Sequence, residues 1–204
     1  MSLNTNRWNE VRYTLLAPLY DPVVSLLRRP RRRSLELLDV QPGERVLLLG
    51  AGTGEDLPFL PAEASVSAID ITPAMVARIQ RKARRLGREV DARVMDGQAL
   101  SYPDGSFDAV ILHLVLAVIP DPIACIKEVE RVLKPGGRAV VLDKFVPDGR
   151  GTGLGRRLLN VATNAVFSDI TRQLGPIVSA TGLTLTRRLP AAFGGAFEMA
   201  LLRK

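Results

Sequence analysis

The chain has 204 residues, 47% of them hydrophobic and 24% charged, which suits one globular domain or one domain with a short appendage. Lysine and arginine number 28 against 21 aspartates and glutamates, a net charge of +7, so nucleic acid, anionic lipid and anionic metabolites all stay open as partners. No stretch has the length of a membrane span, the polar start from Asn4 to Glu10 is unlike a secretory signal, and the single cysteine, Cys125, excludes an internal disulfide, so we expect a cytoplasmic protein.

The positive charge is densest between Arg28 and Arg33, where five of six residues are arginine. One interpretation of this cluster is a solvated helix junction. The other is a basic patch that contacts phosphates or the surface of an anionic membrane. Peripheral contact with an anionic membrane is therefore one expectation for this chain.

Apolar residues recur at three- and four-residue steps from Trp8 to Leu26, which predicts a helical stripe. The stripe is interrupted at Pro18 and Pro22, so two helices are expected to meet near Tyr20. We interpret residues 1–40 as an N-terminal helical segment that covers the site, as packed structure or as a lid. A helix that lies on a membrane surface is the third interpretation.

A glycine-rich loop organises the part of the chain that follows. The apolar run from Val46 to Leu49 predicts a buried strand, and it leads directly into Gly50-Ala51-Gly52-Thr53-Gly54. An acid, Asp70, follows about twenty residues later, the layout typical of a nucleotide-type cofactor site. Glycine tolerates positive φ and has no Cβ, so the main chain can approach a ligand closely. The acid can then accept hydrogen bonds from the hydroxyls of a ribose.

The spacing of the glycines indicates which cofactor binds. A dinucleotide fingerprint has its third glycine at the position that Glu55 occupies here. A pyrophosphate would also lie poorly beside the paired acids Glu55 and Asp56. A cofactor that lacks phosphate and ends in an amino acid suits the loop better, because backbone donors can bind its carboxylate. The predicted cofactor is S-adenosyl-L-methionine.

Strands and helices alternate after residue 43. Further strands are predicted at Ser65 to Asp70, Val90 to Met95, Phe107 to Leu116 and Arg138 to Asp143. Helices are predicted to start at Pro73 and Pro122 and to cover Leu158 to Phe167 and Ile170 to Ala180. A final hairpin joins Leu183 to Leu189 with Ala196 to Leu202 through a turn at Pro190 to Gly195.

This alternation predicts an α/β fold with a doubly wound, Rossmann-like sheet of seven strands. The sheet is expected to be mostly parallel, with an antiparallel C-terminal hairpin and helices on both faces. Such sheets bind ligands at the carboxyl ends of their strands. The candidate site residues are therefore those at the strand ends, Gly50, Asp70, Asp96, His113 and Asp143.

Four sequence elements together carry a resemblance to a known family. They are Val46 to Gly54, Ala68 to Met75, Met95 to Leu100 running into Pro103 to Asp108, and Glu130 to Gly137. With these elements in order, residues 40 to 204 resemble the class I S-adenosylmethionine-dependent methyltransferases. Within that family the chain is similar to the small-molecule and lipid branch, which includes ubiquinone and menaquinone C-methyltransferases and bacterial phospholipid N-methyltransferases.

The resemblance implies a single S-adenosylmethionine-binding methyltransferase domain over residues 41–204. It implies that the glycine loop lines the methionyl part of the cofactor, that two acids bind the ribose and the adenine amino group, and that a tyrosine lies over the cofactor. The residues so assigned are Gly50, Ala51, Gly52 and Thr53 for the methionyl part, Asp70 and Ile71 for ribose and adenine, Asp96 with Gly97 and Gln98 for the adenine amino group, and Tyr20 as cover. No metal ligand is predicted.

The implied reaction is in-line methyl transfer to a small-molecule or lipid-like acceptor, which leaves S-adenosyl-L-homocysteine as product. The only histidine, His113, is the candidate general base, since its titration range suits that role. The alternative is that His113 packs against the cofactor or bonds to the backbone.

Other functions stay open from the sequence alone. The basic surface is compatible with an RNA methyltransferase, and the loop with a cofactor-binding protein without turnover or a nucleotide-dependent oxidoreductase. Nucleic acid is not the expected partner, because no Asn/Asp-Pro-Pro-aromatic element follows the fourth strand and no nucleic-acid module is appended. The sequence predicts neither the identity of the acceptor nor the oligomeric state.

Overall fold

The computed structural model describes residues 5–6, 26–148 and 171–204. The helices are α1 (Arg28–Leu38), α2 (Pro73–Arg85), α3 (Pro122–Val132) and α4 (Leu174–Val178). The strands are β1 (Arg45–Leu49), β2 (Ser65–Asp70), β3 (Val90–Val94), β4 (Phe107–His113), β5 (Leu133–Asp143), β6 (Thr184–Ala192) and β7 (Phe197–Arg203), with short 3-10 turns at Leu57–Phe59 and Phe193–Gly195. The predicted stripe from Trp8 to Leu26 lies almost wholly outside the described residues, as do the helix junction near Tyr20 and the predicted helix over Leu158 to Phe167.

The strands form one sheet in the order β3-β2-β1-β4-β5-β7-β6. Neighbouring strands from β3 to β5 are parallel, whereas β7 is antiparallel to both β5 and β6. The predicted fold class is thereby confirmed. The carboxyl ends of the five parallel strands meet along one side of the sheet, which we call the carboxyl edge.

Helices cover both faces of the sheet, and each face has its own apolar core. On one face, Leu35 and Leu38 of α1 and Ile79 of α2 pack against β1, β2 and β4. On the other face, Ile126 and Val129 of α3 pack together with α4. The central strands are therefore buried on both sides, which is why they read as continuous apolar runs.

Local signals located several element boundaries correctly. β2 has the predicted bounds, and α2 and α3 begin at the predicted prolines. The Asp121 side chain caps α3, since its Oδ1 accepts hydrogen bonds from Ile123 N–H at 3.0 Å and Ala124 N–H at 2.9 Å. Ile123, in the first turn of this helix, is 39% exposed.

Other boundaries differ from the prediction. β4 ends at His113 instead of Leu116, because Leu114 has φ 64°, a left-handed conformation that takes the chain out of the strand. β5 begins at Leu133, with a register shift against β4. α4 is shorter than predicted, and β6 continues through Pro190, which an edge strand tolerates. No helix in the described ranges is long and apolar enough to cross a membrane.

Candidate active site

A cavity opens at the carboxyl edge, between the ends of β1, β2 and β4 and the turn after β3. It has about 810 Å³ of empty space, counting its open side. Nine of the eleven predicted site residues line it: Gly50, Ala51, Gly52, Thr53, Asp70, Ile71, Asp96, Gly97 and His113. Gln98 lies beside Asp96 but does not line the cavity, and Tyr20 is outside the described residues.

The glycine loop needs its glycines for two different reasons. Gly50 has φ +64°, a backbone conformation that residues with a side chain rarely adopt. A Cβ at that position would also lie 2.6 Å from Val115 Cγ2, so there is no space for a side chain. Gly52 has φ +56°, but a Cβ there would meet nothing within 4 Å. At Gly52 the absent side chain therefore keeps the main chain open to the cavity.

Asp70 ties the loop to β2. Its Oδ2 accepts a hydrogen bond from Gly52 N–H and its Oδ1 accepts one from Thr72 N–H, both at 2.9 Å. Burial raises the pKa of the Asp70 carboxyl, and these two hydrogen bonds offset part of that effect. Each carboxylate oxygen has a second acceptor site. Asp70 can therefore accept from two further donors, as the paired hydroxyls of a ribose would require.

A separate set of hydrogen bonds holds the Asp96 carboxylate in place. Its Oδ1 accepts hydrogen bonds from the main-chain and side-chain N–H groups of Gln98, each at 2.9 Å, and its Oδ2 accepts one from Asn6 Nδ2 at 2.6 Å. Gln98 in turn accepts from Asp121 N–H at 2.8 Å. In this structure Gln98 thus orients the Asp96 carboxylate, while Asn6 lines the cavity at this end.

His113 belongs to a buried polar network behind the loop. Its Nδ1 lies 2.8 Å from Asp56 Oδ1, and its Nε2 lies 2.9 Å from Ser34 Oγ. Arg31 Nη1 donates to Asp56 Oδ2 at 2.8 Å. All four side chains are buried. The network joins α1, the segment after the glycine loop and the end of β4.

The charges in this network follow from burial and contact. Burial alone would raise the pKa of the Asp56 carboxyl, but Arg31 and His113 together outweigh it and hold that pKa below its usual range. Burial lowers the pKa of His113, and Asp56 offsets this only in part. At pH 7 the network therefore consists of an ionised Asp56, a charged Arg31 and a neutral imidazole.

The hydrogen bonds indicate the tautomer of His113. An ionised carboxylate can only accept, so Nδ1 carries the proton and donates to Asp56, and Nε2 accepts from the Ser34 hydroxyl. The 3.4 Å approach of Arg31 Nη1 to Nδ1 is then a contact between two donors. Both ring nitrogens have partners, so His113 could act as a base only by releasing Ser34. Its predicted catalytic role stays a prediction.

Sequence reasoning missed Arg31 because it lies in the arginine cluster. Arg31 is 6% exposed and lines the cavity, and its Nε has no hydrogen-bond partner among the described residues. One signal could have located it: Arg31 lies four residues before Leu35 and seven before Leu38, the buried stripe of α1. The apolar lining was also missed, and comprises Leu49, Met75, Met95, Leu114, Val115, Val118 and Ile119.

Two acids near the loop, the strand-end candidate Asp143 and the neighbouring Glu55, have structural partners. Asp143, at the end of β5, is fully buried, does not line the cavity, and accepts hydrogen bonds at 2.9 Å from Ala117 N–H and Lys144 N–H. It therefore holds the turn that follows β4. Glu55 lines the cavity but forms an ion pair with Lys82 of α2.

Comparison with known proteins agrees with this geometry. Residues 47–141 match the family described as a methyltransferase domain. The chain is 36% identical over 121 residues to the phosphatidylethanolamine N-methyltransferase of Cereibacter sphaeroides, covering 58% of this chain and 59% of that protein. It is 38% identical over 148 residues to the demethylmenaquinone methyltransferase of Thermus thermophilus, covering 68% of this chain and 66% of that one. The match thus spans less than two thirds of the length of either relative.

A solved structure shares the fold at low sequence identity. The geranyl diphosphate C-methyltransferase of Streptomyces coelicolor A3(2), in complex with Mg²⁺, geranyl-S-thiolodiphosphate and S-adenosyl-L-homocysteine, matches with a TM-score of 0.71 and 14% identity, over 85% of this chain and 74% of that one. From the match over residues 47–141, the chain carries a methyltransferase domain, and the matched part includes the glycine loop, Asp70, Asp96 and His113.

Proposed function

We propose that the chain is an S-adenosylmethionine-dependent methyltransferase that acts on a small-molecule or lipid-like acceptor. The observation that carries this proposal is the cavity at the carboxyl edge, which is lined by the open main chain at Gly52 and by two hydrogen-bonded carboxylates, Asp70 and Asp96. Asp70 would hold the ribose of the cofactor and Asp96 its adenine amino group, with Ile71 and Gly97 beside them.

The charges around the loop fit an amino-acid end better than a pyrophosphate. Arg31 is the single cation that lines the cavity within the described residues, and its unpartnered Nε suits one carboxylate. Glu55 lines the same part of the cavity, where a diphosphate would be repelled. We therefore assign the cofactor's carboxylate to Arg31 and the backbone N–H of Thr53, since the Gly52 N–H already donates to Asp70.

The chain's own contribution to the reaction is alignment and exclusion of water. When bound, S-adenosylmethionine supplies the activated methyl group. Val115, Val118 and Ile119 form an apolar wall that keeps the reacting region dry. In this proposal residues 1–40 cover the site and residues 41–204 form the domain, with Tyr20 over the cofactor. His113 is the candidate base only if the acceptor must lose a proton.

The lipid-like class of acceptor draws support from the relatives' names, phosphatidylethanolamine N-methyltransferase and demethylmenaquinone methyltransferase. Such an acceptor would be met at a membrane surface. Arg28, Arg29, Arg32 and Arg33 are exposed on α1, whose first turn reaches the cavity through Arg31. These arginines are the proposed contact with anionic lipid. A cytoplasmic, membrane-peripheral location stays a prediction.

Calorimetry with S-adenosyl-L-homocysteine tests the cofactor assignment. We expect the wild-type chain to bind it and Asp70→Asn to bind it at least about tenfold more weakly, because the amide cannot replace all the carboxylate's acceptor sites. Asp104→Asn is the matched control, since Asp104 is exposed and outside the cavity. Failure of the wild type to bind, or binding of a nicotinamide dinucleotide in its place, would contradict the proposal.

Turnover with a labelled methyl donor tests the acceptor. The assay compares phosphatidylethanolamine, a demethylmenaquinone and a structured RNA. We expect label in one of the lipid-like acceptors. Label in RNA alone, with binding that weakens steeply as salt rises, would support the RNA methyltransferase instead. Cofactor binding without label in any acceptor would support a cofactor-binding protein without turnover.

A further inference from the structure

The turn between β6 and β7 exposes an aromatic side chain on a strained backbone. Residues 189–197, which we call the hairpin tip, contain no charged residue. Phe193 is 62% exposed and has φ 50°, a left-handed conformation that a residue with a side chain rarely adopts. The centre of the Phe193 ring lies 5.7 Å from that of Phe197 in the same turn, yet most of the Phe193 side chain stays open to solvent.

The hairpin tip lies at the carboxyl edge. β4 and β5 are parallel, with His113 beside Leu142, and β7 pairs antiparallel with β5 so that Glu198 lies beside Asp143. The turn that precedes β7 therefore projects from the same edge as the cavity. Three strand spacings, about 14 Å, separate β4 from β6. The cavity and the hairpin tip can thus face one surface together.

Exposed apolar side chains concentrate at this edge. Among the described residues, six large apolar side chains are exposed: Leu26, Leu86, Val94, Ile123, Leu189 and Phe193. Leu26 precedes α1, Val94 ends β3, Ile123 is in the first turn of α3, and Leu189 is the first residue of the hairpin tip. Only Leu86, which follows α2, lies at the opposite edge.

Positive charge that could attract anionic lipid lies near Leu26 and near the hairpin tip. Arg28 and Arg29 are exposed at the start of α1, and Lys144 Nζ lies 5.8 Å from the centre of the Phe197 ring. The apolar side chains are separate points along an edge and not a continuous patch. A protein interface buries a contiguous area, whereas a bilayer accepts single inserted side chains between headgroups. The arrangement therefore favours a lipid surface over a protein partner.

We propose that the hairpin tip inserts Phe193 into an anionic lipid surface, which turns the carboxyl edge toward the bilayer. A lipid-like acceptor can then reach the cavity without passing through water. This inference rests on the proposed function for the acceptor, but the contact itself can be tested without turnover.

Vesicle sedimentation with the full-length chain tests the contact. The vesicles contain phosphatidylethanolamine with phosphatidylglycerol, and vesicles of phosphatidylcholine alone serve as the uncharged comparison. We expect Phe193→Ser to weaken binding to the anionic vesicles about tenfold, as expected for loss of one inserted aromatic side chain. The matched control is Leu86→Ser at the opposite edge, which should bind within about twofold of wild type.

A labelled cysteine reports insertion directly. Cys125 is buried, so a polarity-sensitive dye can be attached selectively to Phe193→Cys or to Leu86→Cys. We expect the emission at position 193 to shift to the blue on anionic vesicles and to be quenched by spin-labelled lipid, with neither change at position 86.

Three results would overturn the proposal. They are equal vesicle binding by Phe193→Ser and Leu86→Ser, an unchanged emission at position 193, and a change in oligomeric state in Phe193→Ser without a change in vesicle binding, which would indicate a protein contact. Calorimetry separates this from the proposed function. Phe193→Ser should bind S-adenosyl-L-homocysteine like the wild type. If the wild type does not bind S-adenosyl-L-homocysteine, that result contradicts the proposed methyltransferase function but not the insertion of Phe193 into lipid.

Discussion

His113 shows how burial changes the meaning of a residue. As the only histidine, at the end of a strand, it is the natural candidate for a base. His113 lines the cavity, but both nitrogens of its ring are held by Asp56 and Ser34. The same contacts join three segments that are distant in the sequence. A structural role for His113 therefore has direct geometric support, while a catalytic role would require Ser34 to move.

The stability of the wild type should fall between pH 7 and pH 5. His113 has a lowered pKa in the folded chain, whereas an unfolded histidine titrates near pH 6.5, so below that pH the unfolded chain binds the extra proton. The contribution of His113 is complete above about pH 6.5 and is lost as the pH falls toward the folded pKa, at most about 2 kcal/mol by pH 5. In His113→Asn this decrease should be absent. Urea unfolding at both pH values measures it, and equal decreases in the two proteins would contradict the prediction.

The same variant decides the catalytic role. If His113→Asn binds S-adenosyl-L-homocysteine like the wild type and its turnover stays within a few-fold, His113 is not the base. A large loss of turnover with intact cofactor binding would support the base assignment.

At the scale of elements, different glycines of the glycine loop serve folding and cofactor binding. In Gly50→Ala the new methyl group would lie 2.6 Å from Val115 Cγ2 at a positive φ, which should destabilise the fold by about 2–4 kcal/mol. In Gly52→Ala nothing lies within 4 Å of the new atom, so only the backbone term applies, about 1–2 kcal/mol. Gly52→Ala should nevertheless lose cofactor affinity, because its methyl group occupies the approach to the main chain.

Urea unfolding and calorimetry with S-adenosyl-L-homocysteine measure the two effects separately. Gly50→Ala combined with Val115→Ala is the matched control, since it removes the steric overlap and leaves the backbone strain. Wild-type affinity in Gly52→Ala would show that the cofactor does not approach this part of the loop.

Most elements could be predicted from the sequence because their signals are local. The bounds of β2 and the starts of α2 and α3 depend on apolar runs and on capping residues such as Asp121. The end of β4 could not be predicted in this way. Val115 and Leu116 are buried in the core although they follow the strand. An apolar run in the sequence does not distinguish residues buried in a strand from residues buried in the turn after it.

In the candidate site, too, some residues could be predicted from the sequence and others could not. Strand-end residues such as Asp70 and Asp96 could be predicted, because the topology brings the ends of parallel strands together. The network of Arg31, Asp56 and His113 could not, since its members are 25 and 57 residues apart and an arginine cluster normally lies in water. Only the three-dimensional packing of α1 against the loop shows which arginine is buried.

At the scale of the whole molecule, the Arg31–Asp56 ion pair attaches α1 to the domain. The two side chains are only 7% and 5% exposed. Arg31→Met would leave the Asp56 charge buried without its partner, so we expect a loss of about 3–5 kcal/mol in the free energy of unfolding. Arg31→Met combined with Asp56→Asn should lose much less than the two single variants together, since no uncompensated charge then remains.

Arg32 provides the matched control for this measurement. It pairs with Glu36 on the surface of the same helix, where the side chains are 68% and 58% exposed. Arg32→Met should therefore change the free energy of unfolding by less than about 1 kcal/mol. If Arg31→Met is no more destabilising than Arg32→Met in urea unfolding, the buried pair does not hold α1 in place.

The position of β7 has a consequence for the order in which the molecule assembles. β7 follows β6 in the chain but lies between β5 and β6 in the sheet. During synthesis, one side of β5 stays without a neighbour until both later strands have been made. β6 and β7 can form a hairpin locally, but it must then dock as a unit onto β5. Because α1 packs against both β5 and β7, this long-range step also completes the layer beneath α1, and it gives the domain a higher contact order than a sheet assembled strand by strand.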